Sequence, residues 1–207
     1  MLKELSVEEF VREVASASPA PGGGSVAALA GAQGAGLLSM YCNLSQNRDK
    51  LGGIVDNLLK AGEEARFLKV KLLEAIDEDT IAFNQVMDAY RLPKDTADQK
   101  DIRIKAIQDA AVYAAKVPLQ TARGCLRVLS IVGEVAAKGN ATAITDLGVA
   151  NLQGYSGLIG ACYNVKINLG MIKDAAVVAD FNRETDAIIK EGQKQFEANR
   201  STIEVAI

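Results

Sequence analysis

Histidine and tryptophan are both absent from this 207-residue sequence, and only 5% of its residues are aromatic. Histidine is the commonest general base at neutral pH and the commonest zinc ligand. Its absence argues strongly against a Ser-His-Asp hydrolase and against a zinc deaminase. The hydrophobic residues make up 49% of the chain and are mainly Ala, Leu, Val and Ile, so the sequence predicts a core built by close approach of backbones.

Charge and cysteine content narrow the class of protein further. The net charge is -3, with both signs interspersed, which disfavours nucleic acid or an anionic membrane as a partner. Cys42, Cys125 and Cys162 are far apart and predict neither a metal site nor a disulfide framework, so we interpret them as buried thiols of a cytoplasmic protein. Residues 19–47 carry no charge, but their Ala, Gly and polar content favours a buried helix over a membrane span.

Apolar residues recur every three or four positions along most of the chain, which predicts helices and no sheet. Ser6 and Glu9 form a capping box at the start of the first helix. Ser25 follows a glycine run and is the predicted N-cap of a second helix that reaches about Ser45. We therefore expect one domain, residues 1–207, with an all-α fold: an up-and-down bundle of long helices.

Local residue patterns also predict where the later helices begin and end. A break is predicted at residues 47–53, and Asp95 or Thr96 is the expected cap of a long helix in which Pro118 should produce a kink. Gly139 is the predicted C′ residue of that helix. The predicted segments run from about residue 7 to 18, 25 to 45, 54 to 92, 96 to 138, 141 to 163 and 165 to 197.

Two aspartates fall where the helical pattern calls for apolar residues. Asp79 lies one turn from Ala75 and from Phe83, and Asp146 shares a helix face with Ala150. A buried carboxylate needs hydrogen-bond partners or a raised pKa, so these two residues are candidates for chemistry. An interhelical hydrogen bond or a capping contact is the alternative interpretation.

Two asparagines extend the second of these faces. Asn164 and Asn168 are one turn apart, and eighteen residues separate Asp146 from Asn164. On one continuous helix that spacing corresponds to roughly 27 Å, so one compact site cannot hold both residues. Either the helix breaks, or the residues contact opposite ends of a long ligand, or they belong to different sites of a dimer.

The run Gly22, Gly23, Gly24 and Ser25 opens a predicted helix and is a candidate anion site. Free backbone N–H groups at a helix N-terminus can bind an anionic group. No lysine follows at the spacing of a P-loop, and no strand precedes the glycines. A flexible turn that lets two helices pack closely is the alternative.

Four blocks of the sequence resemble, in order, those of the formiminotetrahydrofolate cyclodeaminase and methenyltetrahydrofolate cyclohydrolase family. They are SPAPGGGSVAAL at 18–29, DTIAFNQVMDAYRLPK at 79–94, NATAITDLGV at 140–149 and NVKIN at 164–168. The resemblance implies an all-helical homodimer with sites for a tetrahydrofolate derivative, polyglutamylated or not, between helices near the subunit interface. It also implies no metal and no cofactor beyond the folate substrate.

Within this family, stand-alone chains of this length include cyclohydrolases, which favours hydrolysis of 5,10-methenyltetrahydrofolate to 10-formyltetrahydrofolate. The first alternative is the cyclodeaminase, which releases ammonia and forms 5,10-methenyltetrahydrofolate. The second is a helical dimerisation or folate-binding module without catalysis.

Both reactions involve a cationic one-carbon bridge between N5 and N10, which a buried carboxylate can stabilise while it accepts or returns a proton. Asp146 and Asp79 are the expected catalytic residues. The asparagines of the blocks are expected to orient the pterin or water, and the glycine-run amides and two lysines to hold the glutamate carboxylates. The expected substrate-binding residues are Gly22, Gly23, Gly24, Ser25, Lys94, Asn140, Asn164, Lys166 and Asn168.

Overall fold

Six α-helices build the part of the chain that the structure, a computed structural model, describes: residues 1–45, 54–136 and 138–207. Two short 3₁₀ helices, Leu2–Glu4 and Ala141–Ala143, accompany them, and these described residues contain no strand. The predicted break at 47–53 lies outside the described residues. The helices are α1 (Val7–Val14), α2 (Gly23–Ser45), α3 (Ile54–Arg91), α4 (Ala97–Val135), α5 (Ile144–Leu169) and α6 (Ala175–Ala206).

The helices α2 and α5 form the centre of the bundle and pack side by side through small residues. A Cβ atom added at Gly34 would lie 3.0 Å from the carbonyl oxygen of Ala150, and one added at Gly157 would lie 2.8 Å from that of Ala27. Helix α3 covers the other flank of α2, α6 that of α5, and α4 contacts all four. The prediction of a core built by close backbone approach is confirmed.

The end of α1 and the start of α2 differ from the prediction. Helix α1 ends at Val14 instead of residue 18, because the Ser16 hydroxyl donates to the carbonyl oxygen of Glu13 at 2.7 Å and closes the last turn. Helix α2 begins at Gly23, and the N–H of Val26 donates to the carbonyl oxygen of Gly22. Gly22 therefore occupies the cap position. The prediction that Ser25 is the N-cap is wrong, since Ser25 lies inside the first turn.

Helix α4 begins as predicted and ends early. Thr96 caps it, with Gln99 completing a capping box, and the helix continues through Pro118. It ends at Val135 instead of residue 138, with Ala136 as its C-cap. Gly139 is therefore not the C′ residue; its N–H donates to the Tyr41 hydroxyl at 3.1 Å and ties this connection to α2.

The boundary between the last two helices was also predicted wrongly. Helix α5 runs to Leu169, because Val165 and Leu169 are buried and continue its apolar face. Asp174 then caps α6, its side chain accepting from the N–H groups of Ala176 and Val177. Asn164 and Asn168 consequently lie on α5. None of the helices in the described ranges has the length and hydropathy that crossing a bilayer requires.

Candidate active site

A cavity of about 530 Å³ lies where the first turn of α2 meets α3, α4 and the end of α5. This volume is in the range of about 300–1,000 Å³ that is usual for small-molecule sites. Its polar lining consists of Gly22, Gly23, Gly24, Asp79, Asn164 and Asn168. Its larger apolar residues are Phe83, Val86, Met87, Tyr90, Ile167 and Met171.

The carboxylate of Asp79 is held by the first turn of α2. The backbone N–H of Ser25 donates to Asp79 Oδ2 at 2.9 Å, and the Ser25 hydroxyl lies 3.0 Å from the same oxygen. A Cβ atom added at Gly24 would lie only 2.6 Å from Asp79 Cγ. The glycine thus allows the carboxylate to approach the helix N-terminus, where the backbone donors lack partners within the helix.

Burial raises the pKa of the Asp79 carboxyl above its usual range, and the hydrogen bonds from the Ser25 side chain and backbone oppose that shift. The Ser25 hydroxyl also lies 2.9 Å from the carbonyl oxygen of Ile76. Its single proton can serve only one of these two acceptors. When Asp79 is protonated, its O–H can donate to Ser25 while Ser25 donates to Ile76. The surroundings therefore accommodate both protonation states, as proton transfer requires.

Asn164 and Asn168 present hydrogen-bond acceptors to the same cavity. Asn164 Nδ2 donates to the carbonyl oxygen of Gly160 at 2.8 Å, and Asn168 Nδ2 donates to that of Ala114 at 2.6 Å. A carbonyl oxygen only accepts, so these contacts fix which end of each amide is the NH₂ group. The Oδ1 atoms of both residues are then the ends available to a ligand.

Five predicted site residues do not line this cavity: Ser25, whose contacts with Asp79 are described above, and Lys94, Asn140, Asp146 and Lys166. Lys94 is exposed in the connection between α3 and α4, and Lys166 is exposed with its Nζ 2.8 Å from Asp186 Oδ1. Asn140 caps the second 3₁₀ helix, its Oδ1 accepting from the N–H of Thr142 at 3.1 Å. Their assignment to substrate binding stays a prediction.

Asp146 also lies away from the cavity. It is in the first turn of α5 and only partly buried, because a helix end is covered on fewer sides than its middle. The expectation that Asp146 is kept from water is therefore met only in part, since Asp146 falls in the same intermediate range of burial as Asp79. Asn164 lies near the other end of the same unbroken helix, so no break brings the two together. A catalytic role for Asp146 stays a prediction.

The apolar wall is the part of the cavity that sequence reasoning did not assign to a site. Phe83, Met87 and Tyr90 follow helical spacing, a pattern that by itself predicts only an apolar helix face. They line the cavity, and Tyr90 is 46% exposed at its edge. Ala114 and Met171 come from other elements and carry no local signal of their position. Among the described residues, no group of three or more Cys, Asp or Glu side chains is arranged to hold a metal ion.

The described residues form an all-helical protein with a cavity whose wall carries one partly buried carboxylate. The family model described as formiminotransferase-cyclodeaminase matches residues 6–187. The chain belongs to this family.

Relatives of the chain are named either as cyclohydrolases or as cyclodeaminases. A methenyltetrahydrofolate cyclohydrolase of Methylorubrum extorquens is 39% identical over 186 residues, which are 90% of this chain and 89% of that protein. A formimidoyltransferase-cyclodeaminase of Sus scrofa is 35% identical over 186 residues, 90% of this chain but 34% of that longer protein. The crystal structure of a formiminotetrahydrofolate cyclodeaminase from Thermotoga maritima shares the fold, with a TM-score of 0.88, 23% identity and coverage of 99% and 98% of the two chains.

Proposed function

We propose that the chain is a folate one-carbon enzyme that hydrolyses 5,10-methenyltetrahydrofolate to 10-formyltetrahydrofolate. The observation that carries this proposal is the Asp79 carboxylate, partly buried at the wall of a cavity with apolar and amide walls. The match to a cyclohydrolase along 89% of that protein's length supports the same substrate class.

The substrate is a delocalised cation between two flat ring systems. The apolar side of the cavity suits the rings, with Phe83, Met87 and Tyr90 along α3 and Ile167 on α5. The carboxylate of Asp79 stabilises the positive charge of the amidinium carbon in surroundings where water is largely displaced.

Asp79 also acts as the general base and then the general acid of the reaction. Its carboxylate accepts one proton from the water whose oxygen forms a bond to the bridging carbon. The resulting neutral adduct loses its C–N5 bond, and Asp79 returns that proton to N5 as the ring opens. The remaining hydroxyl proton leaves to solvent as the C=O bond of the formyl group forms. One water is consumed and one proton is released, so atoms and charge balance.

The amides of the first turn of α2 and the two asparagines bind the rest of the substrate. Gly23 faces Asn164, since a Cβ added to this glycine would lie 3.3 Å from Asn164 Nδ2. The N–H groups of Gly23 and Gly24 suit an oxygen or anionic group of the ligand. The Oδ1 atoms of Asn164 and Asn168 suit its N–H groups.

A direct assay tests the proposal. The purified protein is given 5,10-methenyltetrahydrofolate, and loss of substrate is compared with the uncatalysed rate in the same buffer. We expect saturable turnover that Asp79→Asn reduces. A rate equal to the uncatalysed reaction, together with measurable folate binding, would instead favour a binding module without catalysis.

Cyclodeaminase activity is the second candidate, because relatives with that name cover 90% or more of this chain in Sus scrofa and Mus musculus. In that reaction N10 attacks the formimino carbon of 5-formiminotetrahydrofolate and ammonia leaves. Supplying this substrate and measuring ammonia separates the two candidates. Ammonia release faster than methenyl hydrolysis would overturn the cyclohydrolase assignment.

We also propose that the protein acts as a homodimer through the outer faces of α2 and α5. Helix α2 has no charged residue, and α5 has only Asp146 and Lys166. The exposed large hydrophobic residues of these adjacent helices are Val26, Met40, Leu44, Val149, Leu152, Tyr163 and Ile167. An uncharged surface of this kind is typical of an interface between copies of a chain.

The oligomeric state of two variants tests this interface. Leu152→Glu places a charge on the proposed surface and is expected to give monomers in analytical ultracentrifugation. Phe67→Glu is the matched control, because Phe67 is 59% exposed on α3 and lies outside that surface. A wild-type monomer, or equal dissociation of both variants, would contradict the interface.

We further propose that the enzyme needs no cofactor beyond the folate and acts in the cytoplasm. The absence of histidine removes the commonest zinc ligand, and the three free cysteines are buried thiols, as in proteins of a reducing compartment. Turnover is therefore expected to be unchanged after dialysis against EDTA, and a loss restored by a divalent metal would contradict this.

A further inference from the structure

Helix α4 contains a proline at a position where a helix normally donates a hydrogen bond. Pro118 is buried inside α4 and has no N–H, so the carbonyl oxygen of Ala114, four residues earlier, has no donor at that place in the helix. Ala114 lines the cavity. The proline therefore leaves a backbone acceptor uncovered at the cavity wall.

A side chain of another helix fills this gap. Asn168 of α5 also lines the cavity, and its Nδ2 donates to the Ala114 carbonyl oxygen at 2.6 Å. If residue 118 had an N–H group, the helix itself would supply a donor to this oxygen. The interhelical hydrogen bond and the missing backbone hydrogen bond are thus two parts of one arrangement.

The arrangement determines which end of Asn168 a ligand meets. With the NH₂ group turned to Ala114, Oδ1 is left as an acceptor. Asn164, one turn earlier, has its NH₂ group on the carbonyl oxygen of Gly160 at 2.8 Å. The two side chains therefore offer two acceptors and no charge to one edge of a ligand.

We propose that Pro118 is a positioning residue, which holds the Asn168 amide so that Asn164 and Asn168 accept hydrogen bonds from the N–H edge of the substrate's pterin ring. This inference rests on the proposed function for the identity of the substrate. The Pro118–Asn168 coupling itself is a property of the protein without ligand.

Pro118→Ala tests the inference, because alanine restores the N–H and preserves the helix. The new backbone donor competes with Asn168 for the Ala114 carbonyl oxygen, and the amide becomes free to turn its NH₂ group toward the ligand. We expect KM for the methenyl substrate to rise about tenfold, the effect of one lost hydrogen bond, with kcat within about twofold of the wild type. A KM within twofold of the wild type would overturn the proposal.

A double-mutant cycle separates positioning from general disturbance of the site. Asn168→Ala removes the group through which Pro118 acts, so adding Pro118→Ala to it should leave KM unchanged. Asn164→Ala is the matched control, because Asn164 bonds Gly160 and not Ala114. In that background Pro118→Ala should still raise KM about tenfold. An equal rise in both backgrounds would contradict action through Asn168.

The unfolding temperature provides a readout that needs no substrate. In the Asn168→Ala variant the Ala114 carbonyl lacks its side-chain donor, and adding Pro118→Ala supplies a backbone donor in its place. The change in Tm that Pro118→Ala causes should therefore be about 2–4 °C more positive in this variant than in the wild type. In the Asn164→Ala variant its effect should equal that in the wild type. Equal effects in all three backgrounds would overturn the coupling even if turnover is observed. If the wild type turns over no folate while the Tm cycle shows coupling, the proposed function fails and the positioning role survives.

Discussion

The backbone N–H of Ser25 donates a 2.9 Å hydrogen bond to Asp79 Oδ2, which joins the first turn of α2 to the middle of α3 across 54 residues of sequence. This contact places a carboxylate at the positive end of a helix while burial opposes its ionisation. This contact supports the first turn of a central helix and influences the protonation of the proposed catalytic carboxyl group. Its role can therefore be tested by measuring turnover and by measuring the free energy of unfolding.

Replacing Asp79 by Asn preserves shape and removes the charge. Turnover should fall by about 10²–10⁴-fold, the usual contribution of a positioned acid or base, while the variant still folds and unfolds cooperatively in urea. Asp77→Asn is the matched control two residues away, because Asp77 accepts from the N–H of Leu2 at 2.7 Å and does not line the cavity. Equal losses of turnover in the two variants would contradict a specific role for Asp79.

The pH dependence of kcat/KM reports the same carboxyl group. Water attack needs the ionised form, so kcat/KM should decline as pH falls through the raised pKa of Asp79. The midpoint of the decline should lie at a higher pH than an unperturbed aspartate would give. Stopped-flow rates corrected for uncatalysed hydrolysis measure it. Persistence of the same acid limb in Asp79→Asn would assign it to another group.

Stability should depend on pH in the opposite sense. Because burial raises the pKa of Asp79, the folded protein binds more protons than the unfolded chain between the ordinary and the raised value. The contribution of Asp79 to the free energy of unfolding is therefore lost as pH rises through that window. Asp79→Asn should become more stable relative to the wild type over the same window in urea titrations. A constant difference between the two proteins would refute this linkage.

A methyl group at Gly24 should disrupt the contact between α2 and Asp79. The new Cβ would meet Asp79 Cγ at 2.6 Å, so Gly24→Ala is expected to reduce turnover strongly and to destabilise the protein by about 1–3 kcal/mol. Gly36→Ala is the control on the same helix, since its Cβ would lie 4.0 Å from Lys69 Cδ. It should stabilise by about 0.5–1 kcal/mol. Equal stability changes would argue against the clash.

A catalytic role for Asp146 requires a second subunit, because α5 separates this residue from Asn164 by roughly 27 Å in one chain. If Asp146 completes the partner's cavity, Asp146→Asn lowers turnover, and mixing it with Asp79→Asn after subunit exchange restores about one quarter of wild-type activity. Half of the exchanged dimers then contain one intact site. Unchanged turnover in Asp146→Asn would remove the residue from the catalytic assignment.

Several features were predictable because they depend on neighbours in sequence. The capping box of Thr96 and Gln99, the end of α3 before Pro93 and the helical class follow from backbone groups within a few residues. Asp79 was recognisable as a polar residue on an apolar stripe. The start of α2 was predicted wrongly, and there a distant residue, Asp79, accepts the hydrogen bond from the first-turn N–H of Ser25 that a local cap would otherwise accept.

The sequence by itself determined the all-helical class, the small-residue core and the candidate polar residues, since each follows from composition and periodicity. Only the tertiary structure decided which candidates meet. Asn164 and Lys166 are two positions apart, yet one lines the cavity and the other pairs with Asp186, because successive residues of a helix point in different directions. The apolar wall and the partners of Asp79 come from separate helices, and local periodicity carries no information about their packing.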